Sequence, residues 1–320
     1  MKAKARAHAN IALIKYWGKS DENLSLPMNS SLSLTLDAFY TETEVEFTNS
    51  INEDVFFLNG VEDKNTLSKI SKFLDLFRIA RNMNERAIIK TINYVPTAAG
   101  LASSASGFAA LAAATNKASG LDVNSRELST FARRGSGSAT RSIYGGIVEW
   151  QKGINDKTSF AVEIDDASWD IGMVVVIVNR EEKKMSSREG MKSTILTSPF
   201  YKNWPEDSQK DLKEIKIAIK EKDFEKMGYI TERNALKMHA TMLGANPPIM
   251  YFEPKSILVM QIVHELRDKG IPCFFTMDAG PNVKILCRLS QGEMIKNRLM
   301  EDFKEYEIIV TGPGPGVEII

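Results

Sequence analysis

The alternation of hydrophobic and polar residues predicts a β-hairpin over residues 32–48. Leu32, Leu34 and Leu36 alternate with polar residues, and Val45 continues this period-two pattern further along. Such a period is typical of strands that have one buried face and one exposed face. We therefore expect two half-buried strands in this stretch.

Apolar residues at helical spacing predict a helix over residues 64–83, just after the turn signal Asn59-Gly60. A second helix, over residues 105–118, is rich in alanine and poor in charge, so we expect it to be buried. The remaining elements are predicted from the same periodicities and from helix-ending prolines. They are strands at 87–94, 146–151, 173–179, 273–277 and 283–289, and helices at 125–134, 204–219, 223–243 and 257–269.

The distribution of these elements predicts two domains of the α+β class. Strands and helices are mixed up to about residue 180, and helices dominate soon after it. We therefore expect domains over residues 1–180 and 181–320. A chain of 320 residues is long enough to form two hydrophobic cores.

The charge balance disfavours a polyanionic partner. The chain has 41 Lys plus Arg residues and 41 Asp plus Glu residues, and 43% of its residues are hydrophobic. No overall field therefore draws this globular chain to nucleic acid or to anionic lipid. Any anion must be bound by a local cluster of side chains, and we expect a small-molecule partner.

Neither the cysteines nor the histidines form a recognisable site. The two cysteines fit no disulfide framework and no metal-ligand spacing, and the three histidines lie far apart in the sequence. The amino-terminal apolar stretch is too short for a signal-peptide core and is broken by Lys15. The longest apolar runs suit buried strands and not membrane spans. We expect a cytoplasmic protein without membrane contact.

Residues 96–107, PTAAGLASSASG, have features of a phosphate-binding loop. The segment follows a predicted strand and opens the alanine-rich helix. Gly100 would let the backbone approach a polyphosphate, and the N–H groups of residues 101–106 could converge on it. Ser103 and Ser104 would add hydroxyl donors and a possible Mg²⁺ ligand. An ordinary serine-capped helix would also fit these residues.

The PTAAGLASSASG segment resembles the phosphate-binding motif of the GHMP small-molecule kinase superfamily. Three further segments resemble its diphosphomevalonate decarboxylase family more narrowly: NIALIKYWGK at 10–19, GSGSATRSIYGG at 135–146 and FTMDAGPNV at 275–283. The four segments occur in order along nearly the whole chain, so the resemblance is specific.

The resemblance implies a two-domain α+β fold of the GHMP kinase type. Its N-terminal α/β domain would contain an unusual left-handed β-α-β unit, and ATP and substrate would share the cleft between the domains. The implied reaction converts (R)-5-diphosphomevalonate and ATP into isopentenyl diphosphate, ADP, phosphate and carbon dioxide.

The resemblance also implies three catalytic residues. Asp278 would orient the tertiary hydroxyl and finally deprotonate it, and Lys15 would keep Asp278 ionised. Arg141 would hold the substrate carboxylate until it leaves. Taken alone, Asp278 is an ordinary turn residue, Lys15 suits a solvated strand face, and the segment around Arg141 could be a flexible Gly/Ser loop.

Further contacts follow from the same resemblance. The substrate would contact Tyr16, Trp17, Lys19, Ser136, Ser138, Arg141, Ser187 and Arg188. ATP would contact Thr97, Ala98, Ala99, Gly100, Leu101, Ala102, Ser103, Ser104, Ser106, Lys183 and Lys184, with Ser104 a candidate ligand of Mg²⁺. The two aromatic residues could equally belong to a core, and residues 183–188 could be a solvated loop. We expect a homodimer.

Two other functions compete with the decarboxylase hypothesis. A GHMP kinase acting on mevalonate or phosphomevalonate would stop at the phosphorylated product, and it would not need Arg141 to hold a departing carboxylate. A ligand sensor on the same scaffold should lack either Asp278 or the phosphate loop, and this chain has both. The glycine-rich segment 312–316 is interpreted as a turn or a tail, because its prolines remove N–H donors.

Overall fold

The computed structural model describes residues 1–94, 103–179 and 185–320. The strands are β1 (Lys2–Ile14), β2 (Lys19–Asp21), β3 (Leu26–Pro27), β4 (Ser31–Thr48), β5 (Val55–Leu58), β6 (Val61–Glu62), β7 (Arg86–Tyr94), β8 (Ile147–Trp150), β9 (Ala161–Asp165), β10 (Gly172–Ile177), β11 (Cys273–Met277), β12 (Val283–Cys287), β13 (Glu307–Thr311) and β14 (Glu318–Ile319). The α-helices are α1 (Lys64–Arg81), α2 (Ser103–Ser119), α3 (Ser125–Gly135), α4 (Ser187–Thr197), α5 (Trp204–Glu221), α6 (Phe224–Leu243), α7 (Pro254–Asp268) and α8 (Gly292–Met300). Short 3₁₀ helices occur at Gly137–Ile143, Tyr201–Asn203 and Leu289–Gln291.

Two sheets form the framework of the molecule. The larger has the order β14-β1-β4-β7-β5-β6, with β8 paired to β4 and β9 paired to β8. The smaller is antiparallel and has the order β11-β12-β10-β13. Strand β10 therefore pairs with strands from later in the chain, although it precedes residue 180.

Three layers of apolar packing hold the sheets and helices together. Helices α1, α2 and α3 pack with strands of the larger sheet around Phe73, Phe77 and Phe108. A second core joins β1 and β4 to α5, α6 and one face of the smaller sheet. Helices α7 and α8 cover the other face of that sheet. Because the second core spans both sheets, it sets the position of residues at the end of β1 relative to those at the end of β11.

The predicted hairpin at residues 32–48 is wrong, because β4 is a single strand there. Strand β1 pairs with β4 in antiparallel orientation along most of its length. The register of this pairing shifts between the pairs His8–Tyr40 and Asn10–Thr35. Extra residues on β4 bulge out at this point. The break in the hydrophobic pattern therefore comes from a bulge and not from a turn.

Most other predicted elements are confirmed, with ends shifted by a few residues. These are the helices at 64–83, 105–118, 125–134, 204–219, 223–243 and 257–269 and the strands at 87–94, 146–151, 173–179, 273–277 and 283–289. Strand β1 was not predicted, because its inward residues Ala5, Ala7 and Ala9 are poor strand formers. The small side chains of Ala5 and Ala7 let the alanine-rich α2 lie close against the strand.

The segment 312–316 is packed against the larger sheet and is neither a turn nor a tail. The Gly314 N–H donates to the Thr35 carbonyl at 2.9 Å, and the Gly146 N–H donates to the Gly314 carbonyl at 3.1 Å. A Cβ atom on Gly314 would lie 2.8 Å from the Asp37 nitrogen, so only glycine fits this approach. The chain then adds β14 to the edge of the sheet beside β1.

Within the described ranges, none of the helices is long and apolar enough to cross a membrane.

Candidate active site

A cavity of about 260 Å³ lies between the end of β1, the 3₁₀ helix Gly137–Ile143, the start of α4 and the turn after β11. It brings together residues that sequence analysis took from separate segments. Those lining it are Lys15, Tyr16, Trp17, Lys19, Ser104, Ser136, Ser138, Arg141, Ser187, Arg188 and Asp278.

Asp278 and Lys15 meet at the ends of two strands from different sheets. Lys15 follows the last residue of β1, and Asp278 follows the last residue of β11. The Lys15 Nζ donates to Asp278 Oδ1 at 2.8 Å and to the Ala12 carbonyl at 2.8 Å. The Lys15 side chain is only 1% exposed, and this burial lowers its pKa to about 8 even though Asp278 acts in the opposite direction.

A second lysine contacts the same carboxylate and was missed in the sequence. The Lys284 Nζ lies 3.4 Å from Asp278 Oδ2. Burial acts to raise the pKa of Asp278, but the charges and hydrogen bonds of Lys15 and Lys284 hold it well below the usual range of an aspartate. The only signal in the sequence was a lone lysine within the apolar strand β12.

Arg141 is held rigidly beside this pair. Its segment is a 3₁₀ helix in which Arg141 is buried, and the flexible-loop interpretation is therefore wrong. Its Nε donates to Asn10 Oδ1 at 3.2 Å, and one terminal nitrogen donates to Ser31 Oγ at 2.5 Å. Burial lowers the pKa of Arg141 to about 10, while the charge of Asp278 acts to raise it, so the guanidinium stays charged at neutral pH.

Hydroxyl groups connect the arginine segment to the start of α2. The Ser136 and Ser138 Oγ atoms lie 3.2 Å apart, and Ser136 donates to Ser104 Oγ at 3.3 Å. Ser106 does not face the cavity, because its hydroxyl is buried and lies 2.8 Å from Thr41 Oγ1. Ser103 is exposed at the first position of α2.

Eight of the predicted ATP contacts lie outside the described residues. They are Thr97, Ala98, Ala99, Gly100, Leu101, Ala102, Lys183 and Lys184.

Basic side chains gather at the outer part of the cavity. Lys19, Lys69 and Arg188 line it together, although they come from β2, α1 and α4. Burial lowers the pKa of Lys69, and the charges of Arg188 and Lys19 lower it further. The three positive charges are therefore close enough to repel one another. Lys19 also donates to the exposed carboxylate of Glu22 at 2.9 Å. Lys69 was missed because a lysine on a helix normally faces solvent.

The two aromatic residues differ in their surroundings. The Tyr16 ring packs against Trp150 with the centroids 4.8 Å apart, and burial raises the pKa of Tyr16. Trp17 is 1% exposed and belongs to a hydrophobic cluster with Tyr201 and Trp204, so the core interpretation and the cavity-wall interpretation both hold. The Trp17 carbonyl accepts from the Tyr201 hydroxyl at 2.8 Å.

Gly18 turns the chain between the aromatic pair and Lys19. Its φ is +108°, and a Cβ atom there would overlap the Tyr201 hydroxyl. A residue with a side chain would therefore be strained and crowded at this position. The glycine thus lets Lys15 point into the interior while Lys19 reaches the outer part of the cavity.

No group of three or more His, Cys, Asp or Glu side chains that could hold a metal ion occurs within residues 1–94, 103–179 and 185–320. The predicted ligand Ser104 is exposed in the first turn of α2 and hydrogen-bonded to Ser136.

Comparisons with protein families match most of the chain. A model described as the diphosphomevalonate decarboxylase-like N-terminal domain matches residues 7–161. A model described as the mevalonate 5-diphosphate decarboxylase C-terminal domain matches residues 173–311.

Curated relatives carry the same description. The diphosphomevalonate decarboxylase of Debaryomyces hansenii is 38% identical over 306 residues, which cover 88% of this chain and 78% of that protein. The Homo sapiens diphosphomevalonate decarboxylase is 36% identical over 302 residues, which cover 87% of this chain and 75% of that protein.

Solved structures superimpose on this chain over its whole length. The mevalonate diphosphate decarboxylase of Staphylococcus aureus superimposes with a TM-score of 0.96 and 50% identity, covering 100% of this chain and 98% of that chain. A complex named MDDEF with MVAPP, AMPPCP and magnesium has a TM-score of 0.95 and 51% identity, covering 100% of this chain and 99% of that chain.

Proposed function

The chain belongs to the diphosphomevalonate decarboxylase family, and we propose that Asp278, Lys15 and Arg141 carry out the family's reaction in the cavity. The enzyme converts (R)-5-diphosphomevalonate and ATP into isopentenyl diphosphate, ADP, phosphate and carbon dioxide, and it uses Mg²⁺. The observation that carries the assignment of residues is the buried contact of 2.8 Å between Lys15 and Asp278, with the charged Arg141 facing the same cavity.

Asp278 acts on the tertiary hydroxyl of the substrate. Phosphoryl transfer forms the new O–P bond largely before the O–H bond breaks, because an alcohol is a weak acid. The carboxylate first orients the hydroxyl and accepts its proton late, when the oxygen already bears phosphorus. The low pKa of Asp278 supports this order, because the carboxylate is ionised at neutral pH but is a weak base.

Lys15 supplies positive charge where the phosphoryl group is transferred. Its ammonium is buried and fixed by two acceptors, so little reorganisation is needed during the reaction. The charge on the transferring group is spread over its oxygens, and a nearby cation stabilises it.

Arg141 holds the substrate carboxylate for the second step. The tertiary C–O bond breaks, and phosphate leaves with the electron pair. Electrons of the breaking carbon–carbon bond then form the double bond, and carbon dioxide is released. Arg141 suits this role because Asn10 and Ser31 bind its guanidinium and leave donors free for a carboxylate. Ser136 and Ser138 would bind neighbouring substrate oxygens.

The diphosphate group would bind at the outer part of the cavity. Tyr16, Lys19, Ser187 and Arg188 are the contacts expected from the resemblance, and Trp17 walls the pocket. We add Lys69, because it lines the same cavity as Lys19 and Arg188. Desolvation lowers the pKa of Lys69, and the charges of Arg188 and Lys19 lower it further. A diphosphate would relieve the mutual repulsion of these cations.

ATP would bind with its phosphates toward the amino terminus of α2. The positive end of the helix dipole favours an anion there, and Ser103 and Ser104 begin the helix. The exposed hydroxyl of Ser104 fits a ligand of Mg²⁺, which usually keeps phosphate oxygens and waters as its other ligands. When bound, the ion neutralises charge on the phosphates. Residues 97–102, Lys183 and Lys184 remain predicted ATP contacts.

We also propose a domain boundary, a compartment and an oligomeric state. We divide the chain into domains 1–180 and 181–320 and expect a cytoplasmic homodimer. Leu196 and Phe200 are large apolar side chains that are exposed around the end of α4, which supports a covered surface there. Light scattering at several protein concentrations tests the homodimer.

Product analysis tests the activity. Purified protein with ATP, Mg²⁺ and diphosphomevalonate should release ADP, inorganic phosphate and carbon dioxide in equal amounts. A stable phosphorylated product without carbon dioxide would support the kinase alternative instead. A protein that binds the substrate and releases neither ADP nor carbon dioxide would support the sensor alternative.

A further inference from the structure

Lys284 is a buried charge that the reaction described above does not use. It is the second residue of β12, opposite Thr276 on β11, and its side chain is 1% exposed. Its Nζ lies 3.4 Å from Asp278 Oδ2 and donates to the Asn282 carbonyl at 3.1 Å. Among the described residues, Asp278 is the carboxylate within ion-pair distance of Lys284.

Burying an ammonium group at this position costs free energy. Phe274 and Leu286 lie two residues from Thr276 and Lys284 on the same face of the sheet, and both belong to the hydrophobic core. An apolar side chain at 284 would avoid the large desolvation cost of a buried charge. A charge at this position therefore requires a function that an apolar residue could not supply.

The two lysines reach Asp278 from different sheets. Lys15 comes from the end of β1, whereas Lys284 lies on the same hairpin as Asp278, formed by β11 and β12. Lys15 binds Oδ1 and Lys284 approaches Oδ2, which leaves each carboxylate oxygen with capacity for a further hydrogen bond. The arrangement fixes the plane of the carboxylate before the substrate arrives.

We propose that Lys284 is a positioning residue for phosphoryl transfer, holding the second oxygen of Asp278 so that the ionised carboxylate faces the substrate hydroxyl. The proposal rests on the function assigned above to Asp278. Lys284 does not touch the substrate itself and acts through the carboxylate. Because it shares the hairpin with Asp278, its contact does not depend on how the two sheets are placed relative to each other.

The charges around Asp278 determine its state of ionisation. Lys15 faces it from β1, Lys284 from β12 and Arg141 from the 3₁₀ helix, while His239 lies nearby on α6. Burial lowers the pKa of His239 to about 4, so this imidazole is neutral at neutral pH. Removing Lys284 removes one of two adjacent cations, and the pKa of Asp278 must then rise.

Steady-state kinetics of Lys284→Met at about pH 7 tests the proposal, because Asp278 is ionised there in the wild type. We expect kcat to fall at least about tenfold and KM for both substrates to change less than about threefold. Lys284→Arg should restore much of kcat. Lys216→Met is the matched control, because Lys216 also forms an ion pair but does not line the cavity. Its Nζ lies 2.6 Å from a carboxylate oxygen of Glu149.

Several outcomes would overturn the inference. A kcat within about threefold of wild type, or a fall in kcat that Lys284→Arg does not restore, assigns Lys284 a structural role only. If Lys284→Met does not fold, Lys284→Gln carries the same test, since its amide can still donate to the Asn282 carbonyl. Misfolding of both variants would also count against the proposal that Lys284 positions the Asp278 carboxylate. A wild-type protein that releases no carbon dioxide contradicts the function instead, so the two failures are distinguishable.

Discussion

The depressed pKa of Lys15 makes a quantitative prediction about the alkaline limb of activity. Lys15 has a pKa of about 8 in place of its ordinary 10.5, because its ammonium is buried. In the proposed mechanism the lysine must be charged to stabilise the phosphoryl group, so activity should be present below this pKa and be lost as the pH rises through it. The alkaline limb should therefore lie well below the pKa of an ordinary lysine.

The size of the effect follows from the titration and the geometry. With this pKa, about nine-tenths of the Lys15 side chains are protonated near pH 7 and about one-tenth near pH 9. The ammonium lies 2.8 Å from Asp278, where we propose that the phosphoryl group is transferred. Charge-assisted contacts contribute about 1.5–3 kcal/mol, so loss of the charge in Lys15→Met should lower kcat/KM by about 10- to 150-fold.

The assay is the pH dependence of kcat/KM, which reports groups of the free enzyme. We expect an alkaline limb near pH 8 in the wild type. In kcat the limb should lie higher, because bound phosphates favour the charged lysine. Lys15→Arg should abolish this limb, since arginine stays charged across the range measured.

Two results would refute the reasoning about Lys15. The first is a wild-type kcat/KM that stays flat beyond about pH 9.5. The second is an unchanged alkaline limb in Lys15→Arg. Lys216→Arg is the control for a general effect of the substitution, because Lys216 pairs with Glu149 away from the cavity.

Three further predictions follow from the cavity. Asp278→Asn removes the negative proton acceptor, so turnover should fall about 10²–10⁴-fold with little change in substrate affinity; turnover within about threefold of wild type would exclude the catalytic role. Arg141→Gln should depress carbon dioxide release sharply, and measured accumulation of phosphorylated intermediate would show that the first step survives; undiminished carbon dioxide release would exclude Arg141. Lys69→Met should weaken binding of diphosphomevalonate at least about tenfold in competition assays and bring its affinity closer to that of the monophosphate, and an unchanged preference for the diphosphate would remove Lys69 from that site.

Much of the cavity could be predicted because its residues lie in short contiguous segments that resemble the motifs of a known family. Lys15, Tyr16, Trp17 and Lys19 belong to one such segment and Asp278 to another, although neither segment indicates a site when taken alone. Helices were also predictable, since apolar spacing over many residues gives a strong signal.

Residues that reach the cavity singly could not be predicted. Lys284 interrupts an apolar strand and Lys69 lies on an ordinary helix, so each becomes informative only when the fold brings it to Asp278 or to Arg188. The prediction that Ser106 contacts ATP failed for a related reason. It belongs to the serine-rich segment, but the turn of α2 directs its hydroxyl toward Thr41 and away from the cavity.

The pairing of β14 with β1 has a consequence for the order of folding. Strand β1 lies at residues 2–14 and its edge partner at residues 318–319, so this contact closes a loop that contains nearly all of the described chain. Contacts of such sequence separation form slowly, because the entropy of loop closure opposes them. Gly314 bonds to Gly146, a few residues after Arg141. We therefore expect the wall of the cavity around Arg141 to reach its final form late, after β14 has been synthesised.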